Sequence, residues 1–147
     1  MIFREAVPAD LPAVLGLLVD DAQGRNRDST EVDEAYRRAF AEIAADPRNE
    51  LIVGDDDGTV VACMQLTYIP GLSRHGAQRL LIEAVRVHSG RRGQRIGARM
   101  MTWAIDRARD RGCALVQLTT HKSRADAHRF YRRLGFEDSH EGMKLAL

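Results

Sequence analysis

Ten consecutive residues, His88-Ser89-Gly90-Arg91-Arg92-Gly93-Gln94-Arg95-Ile96-Gly97, carry the clearest chemical signal in the chain. They combine glycines with arginines, the combination that suits an anion held by backbone N–H groups. Gly93 and Gly97 lack a Cβ and admit close backbone approach. Arg91, Arg92, Arg95 and the following Arg99 supply formal positive charge. The segment lacks the Gly-Lys-Ser/Thr ending of a nucleotide-binding P-loop. Its glycines, at 90, 93 and 97, also miss the dinucleotide fingerprint. A basic glycine turn with no ligand remains the open alternative.

A second chemical candidate is Glu83, a carboxylate inside the apolar run Leu80 to Val87. Acidic groups are rarely buried without a partner or a task. Strict alternation places Glu83 on the face of Leu81, Val85 and Val87. Two readings stand: a general base, or a structural ion pair with Arg86 or another arginine. The five histidines are scattered, and none sits at metal-ligand spacing from another His, Cys or acidic residue. No Ser-His-Asp or Cys-His arrangement is legible, so a covalent acyl-enzyme is not favoured.

The turn needs a strand before it and a helix after it. Leu80–Val87 reads as the strand. Met100, Met101, Ala104, Ile105 and Ala108 recur at helical spacing up to Arg111-Gly112, where glycine is a natural C-terminal cap. Upstream, Ile2–Val7 reads as a strand and Pro8-Ala9-Asp10 opens a helix with Leu11, Val14, Leu15 and Leu18 on its apolar face. Asp20–Asp28 reads as a polar loop. A second helix starts near Ser29-Thr30, buries Val32, Tyr36, Ala39, Phe40 and Ile43, and ends at Asp46-Pro47. Leu51-Ile52-Val53 and Thr59–Tyr68 flank the hairpin signal Asp55-Asp56-Asp57-Gly58. A polar loop spans Gly71 to Gln78. Ala114–Thr120 is a further strand, Ala125–Leu134 a last helix closed by Gly135, and Phe136–Leu147 one or two final strands. This order predicts an α/β fold: a mixed sheet of six to seven strands with helices on both faces.

The length of 147 residues suits one domain over 1–147, and 44% hydrophobic residues suffice for a core. A net charge of +1 argues against a general nucleic-acid binder, and one Trp, three Tyr and four Phe offer few stacking platforms. No apolar run approaches the roughly 18 residues that span a bilayer, and no leader-like segment opens the chain. Cys63 and Cys113 lie in apolar runs and read as buried, reduced thiols of a cytoplasmic protein.

Three stretches together resemble the GNAT superfamily of N-acetyltransferases, in order and over nearly the whole chain. They are Ile2–Leu11 at the start, Arg92-Gly93-Gln94-Arg95-Ile96-Gly97 in the turn, and Ala127–Phe136 with its Phe130-Tyr131 and Gly135-Phe136 pairs. The resemblance implies acetyl-CoA as co-substrate and direct transfer to the amine of a small-molecule acceptor; charge and composition, as above, argue against nucleic acid or membrane as partner. It implies backbone contacts to the pyrophosphate from Arg92, Gly93, Gln94, Arg95, Ile96, Gly97 and Ala98. It further implies contacts to the pantetheine arm from Val85, Arg86, Val87, Arg124 and Ala127. It assigns Glu83 as base and Tyr131 as acid, a phenol of pKa about 10 suiting a thiolate product near 8.5.

Two positions depart from the family pattern. Arg95 stands where the loop usually has a glycine, and its N–H serves a phosphate if its φ is negative. Arg124 stands where many members have Asn. His88 and His121 are either secondary base candidates or, the favoured reading, solvated or hydrogen-bonded structural residues, and Lys122, Arg124 and Arg129 either meet the 3′-phosphate or form a solvated face. Asp20, Asp21 and Asp28 either attract a cationic amine or line a solvated loop. The resemblance also admits a homodimer, since exposed strand edges often make this fold dimeric. The alternatives are acetylation of a protein or peptide amine, and a non-catalytic acyl-CoA-binding or regulatory module.

Overall fold

A computed structural model describes residues 1–147, the side chain of Ala22 excepted. The chain forms two compact units, Met1–Gln117 and Leu118–Leu147. In the first, β1 (Ile2–Glu5) is followed by a single 3₁₀ turn, Pro8–Asp10, and by α1 (Leu11–Leu18), α2 (Ala22–Arg27) and α3 (Glu34–Ala45). Then come β2 (Asn49–Asp56), β3 (Thr59–Ile69), the single turn α4 (Ser73–Gly76), whose Arg74 and His75 lie in the left-handed region at φ 54° and 61°, β4 (Arg79–Val87), α5 (Ile96–Asp110) and β5 (Leu115–Leu118), whose last residue begins the second unit.

The sheet is mixed, in the order β1-β2-β3-β4-β5, and β1 to β4 are antiparallel neighbours. β2 and β3 join through Asp57 and Gly58, at φ 56° and 88°. Two left-handed residues in a two-residue loop match the right-handed twist of a hairpin, as the Asp-Gly signal predicts. Partners across the sheet share a face. Val53 and Cys63 face α1, packing with Val14 and Leu17. Glu50, Leu66 and Ile82 face the other way. There α5 buries Ile96, Met100, Met101, Ala104 and Ala108, and Trp103 meets Phe3 at 6.1 Å between ring centroids. Helices thus cover both faces, as expected.

Two buried carboxylates pin these layers. Glu50 accepts from Arg107 Nε (2.6 Å) and Nη2 (3.0 Å) and from Arg111 Nη1 (2.7 Å). Asp10 accepts from Arg4 Nη1 (2.7 Å) and Nη2 (3.1 Å) and from the Val7 N–H (2.8 Å). The Arg4 guanidinium, foremost, holds the Asp10 carboxyl below the usual carboxylate range.

Several boundaries differ from the sequence expectation. Among the described residues the strands number five, not six or seven, and residues 136–147 form none. Met143, Leu145 and Leu147 alternate as strand residues do, but they are exposed and no neighbouring strand pairs with them. Period two decides which side would be buried; it does not create a partner. Residues 20–28 contain α2, whose first turn is capped by Asp21 accepting the Gly24 N–H at 2.6 Å. The next helix starts at Glu34, not near Ser29, because the Asp33 carboxylate accepts the Tyr36 N–H at 3.1 Å. Its apolar stripe is only half-buried, with Ala39 exposed.

In the second unit α6 (Ala125–Arg133) is the one helix, and Gly135 at φ 97° closes it. The carbonyl of Tyr131 accepts the N–H groups of Leu134 and Phe136.

Candidate functional site

The basic turn leaves β4 with its ladder continuing one residue further: the His88 N–H donates to the Val61 carbonyl at 2.8 Å. A single 3₁₀ turn, Ser89–Arg91, follows. The chain then reverses through Gly93 at φ 79° and Arg95 at φ 61°, and Ile96 opens α5. Gly93 requires its glycine for that φ, since a Cβ there would meet no atom within 4 Å. No side chain caps α5, so the N–H groups of its first turn face the turn without a side-chain acceptor.

Arg95 does not meet the condition set for it by sequence. Its φ is positive, so the arginine sits in a left-handed conformation that costs an L residue about 1–2 kcal/mol. Backbone strain of this kind gathers at functional sites. Of the four arginines, Arg91 is engaged elsewhere. Its guanidinium contacts Asp56 at 2.6 Å and Gln94 Oε1 at 2.9 Å, tying the turn to the β2–β3 hairpin. Arg92, Arg95 and Arg99 are exposed beside the helix N-terminus. A helix dipole worth about half a positive charge, uncapped N–H groups and three exposed guanidinium groups fit a diphosphate.

The strand that delivers the turn is not regular. Gln65 pairs with Glu83 and Cys63 with Arg86, so two residues of β3 span three of β4. The extra residue is a β-bulge at Ala84-Val85, with Ala84 at φ 52°. This overturns the shared face expected for Glu83, Val85 and Val87. Val87 pairs with Ala62 on the α5 side, whereas Glu83 and Arg86 lie together on the α1 side. Glu83 is exposed rather than buried in an apolar strand. Nor is Arg86 its ion-pair partner, because Arg86 Nε lies 3.1 Å from Asp21 Oδ2. Among the described residues Glu83 forms no ion pair. Beside it, an open pocket of about 300 Å³ is lined by Gln65, Asn49, Asp46 and the α3 residues Ala39, Glu42 and Ile43.

Asp20 and Asp21 have definite structural partners. Asp20 accepts the Ser89 N–H at 2.8 Å and the Ser89 hydroxyl at 3.2 Å. The Ser89 backbone bond is the main reason its carboxyl is held below the ordinary range. Two carboxylates immediately after an apolar helix were the available signal, because the negative end of a helix dipole disfavours them.

In the second unit, Tyr131 is half-buried, with Phe130 and Phe136 edge-on at 5.1 and 5.8 Å. Ala127 is half-buried on the same helix, and Arg124 stands at its N-cap without capping it. His121 Nδ1 contacts Ser123 Oγ at 2.7 Å, and His128 Nε2 contacts the His121 carbonyl at 3.1 Å. Among the described residues no group of three or more His, Cys, Asp or Glu could hold a metal ion. No helix is long and apolar enough to cross a membrane. Cys63 is fully buried, and burial pushes its thiol up to about 12; Cys113 is only half-buried, so the expectation of two buried thiols holds for one.

Comparison with known proteins identifies relatives in sequence and fold. Residues 14–136 match the family model described as the acetyltransferase (GNAT) family. An aminoalkylphosphonate N-acetyltransferase of Salmonella typhimurium is 32% identical over 138 residues, 93% of this chain and 85% of that protein. An L-methionine sulfoximine/L-methionine sulfone acetyltransferase of Pseudomonas paraeruginosa is 29% identical over 140 residues, covering 92% and 80%. A crystal structure from Bacillus halodurans, described as a transcriptional regulator, superposes with a TM-score of 0.97 at 47% identity, covering 99% of each chain. On the matched sequence and the shared fold, this chain belongs to the GNAT acetyltransferase family and is an N-acetyltransferase.

Proposed function

We propose that the protein transfers the acetyl group of acetyl-CoA to the primary amine of a small-molecule acceptor, by direct attack in a ternary complex. The observation that carries this reading is the uncapped N-terminus of α5 behind Gly93 and Arg95, flanked by the exposed Arg92 and Arg99. Arg92, Gly93, Gln94, Ile96, Gly97 and Ala98 would hold the pyrophosphate through backbone N–H groups, Arg95 would add its charge, and Val85, Arg86 and Val87 would pair with the pantetheine arm as an added strand.

The amine nitrogen attacks the thioester carbonyl, the C–S bond breaks, and the thiolate leaves. Glu83, directly or through water, takes the proton that the ammonium must lose. Tyr131 gives a proton to the thiolate and regains one as the attacking nitrogen sheds its second proton to form the amide, a role that rests on its place in the Ala127–Phe136 motif, as do the pantetheine contacts of Arg124 and Ala127. The relatives named for aminoalkylphosphonate and for methionine sulfoximine point to small amines that also carry a polar, acid-derived group.

A second reading keeps cofactor binding and drops transfer, as a regulatory module on the same fold. The relative described as a transcriptional regulator favours it. Thermal melting with millimolar acetyl-CoA, followed by assay of thiol release against a panel of aminoalkylphosphonates, amino acids and polyamines, separates the two. We expect a marked rise in Tm and thiol release with at least one amine. No rise in Tm would refute both readings. A rise without release from any amine, peptides included, would leave only the second.

A further inference from the structure

Asp20 and Asp21 close the C-terminal end of α1, where the helix dipole disfavours negative charge. Both are held there by the strand and turn proposed to bind the cofactor. Asp20 grips Ser89 through the N–H and the hydroxyl. Asp21 caps α2 through the Gly24 N–H and faces Arg86 Nε at 3.1 Å. Arg86 in turn donates from Nη1 to the Val85 carbonyl at 3.0 Å. Its side chain is 14% exposed, and its Nε is buried without an aligned hydrogen-bond acceptor, so Asp21 serves it as a charge.

The corner between α1 and α2 therefore holds β4 on both sides of Val87, at the bulge and at the start of the turn. The bulge makes this reach possible, since regular alternation from Glu83 would aim Arg86 at the α5 side. The corner itself has little freedom. A Cβ on Gly24 would lie 1.7 Å from the Leu18 carbonyl oxygen, so the first turn of α2 is seated directly on the end of α1.

We infer that Asp20, and Asp21 acting through Arg86, are positioning residues for acetyl transfer: they fix the Val85 peptide and the entry to the basic turn relative to each other. This rests on the proposed function, in which the backbone of Val85, Arg86 and Val87 pairs with the pantetheine arm that ends in the thioester. Small misplacements at a reacting centre are costly, so the clamp acts on rate as well as on binding.

The test is steady-state kinetics, normalised to folded protein, with acetyl-CoA varied at a saturating acceptor identified by the amine panel. Arg86→Met is expected to lower kcat/KM for acetyl-CoA about tenfold or more, and Arg86→Lys, which keeps a cation opposite Asp21, to recover most of the loss. Asp21→Asn keeps an acceptor for the Gly24 N–H while removing the charge; it is expected to lower kcat/KM several-fold and provides the test if Arg86→Met does not fold. Wild-type kinetics in Arg86→Met and Asp21→Asn, with only Tm reduced, would mark the clamp as purely structural and overturn the inference while leaving the function intact. A wild-type protein that neither binds acetyl-CoA nor releases thiol would overturn the function and this inference with it.

Discussion

Replacing Arg95 with glycine separates stability from cofactor affinity. Arg95 occupies the left-handed region at φ 61° and ψ 17°, at the N-cap of α5. That conformation costs an L residue about 1–2 kcal/mol, and glycine removes the cost. Glycine also gives the unfolded chain more freedom to lose, worth about 0.5–1 kcal/mol in the opposite direction. The net expectation for Arg95→Gly is a gain of about 0.5–1 kcal/mol, or about 1–4 °C in Tm for a chain of this size. Arg95→Ala keeps the strain and is expected not to rise. Both variants lose one exposed guanidinium beside the proposed diphosphate, so both should bind acetyl-CoA about two- to fivefold more weakly at low salt and converge on wild type at high salt. Differential scanning calorimetry and isothermal titration measure the two effects separately. If the glycine and alanine variants melt alike, Arg95 is not strained. If neither loses affinity, its charge does not face the cofactor.

Two further outcomes follow from the core. Glu50→Gln leaves Arg107 and Arg111 without their shared carboxylate; because each arginine is 35% exposed, the cost falls below that of a fully buried pair, at about 2–3 kcal/mol, and a Tm drop under 2 °C would refute it. Iodoacetamide at pH 8 should modify Cys113 in the folded protein and spare Cys63, whose thiol is buried and pushed up to about 12; peptide mass spectrometry that finds Cys63 labelled first would contradict the packing.

Much of the frame could be read from residue spacing because the signals are local. The Asp57-Gly58 turn, the helix through Met100 to Ala108 and the glycine stops at Gly112 and Gly135 each depend on backbone preferences within a few residues. The boundaries that failed depended on competition between local caps. Asp33 displaced Ser29 and Thr30 as a helix start, and Asp21 made a helix of a polar stretch. The strands expected after Phe136 failed for want of a partner, which no pattern within the segment can supply.

The sequence by itself determined the family, the strand–turn–helix that presents a basic anion site, and the residue types available for proton transfer, because these follow from motif order and backbone chemistry. Only the tertiary structure decided which of those groups meet. The bulge at Ala84-Val85 adds one residue to β4, which moves Val87 to the α5 side, brings Glu83 and Arg86 onto one face, and lets Asp21 of a distant helix take Arg86 as its partner. A face in a β-strand is set by counting from a neighbour, so a single unpaired residue reassigns every side chain beyond it.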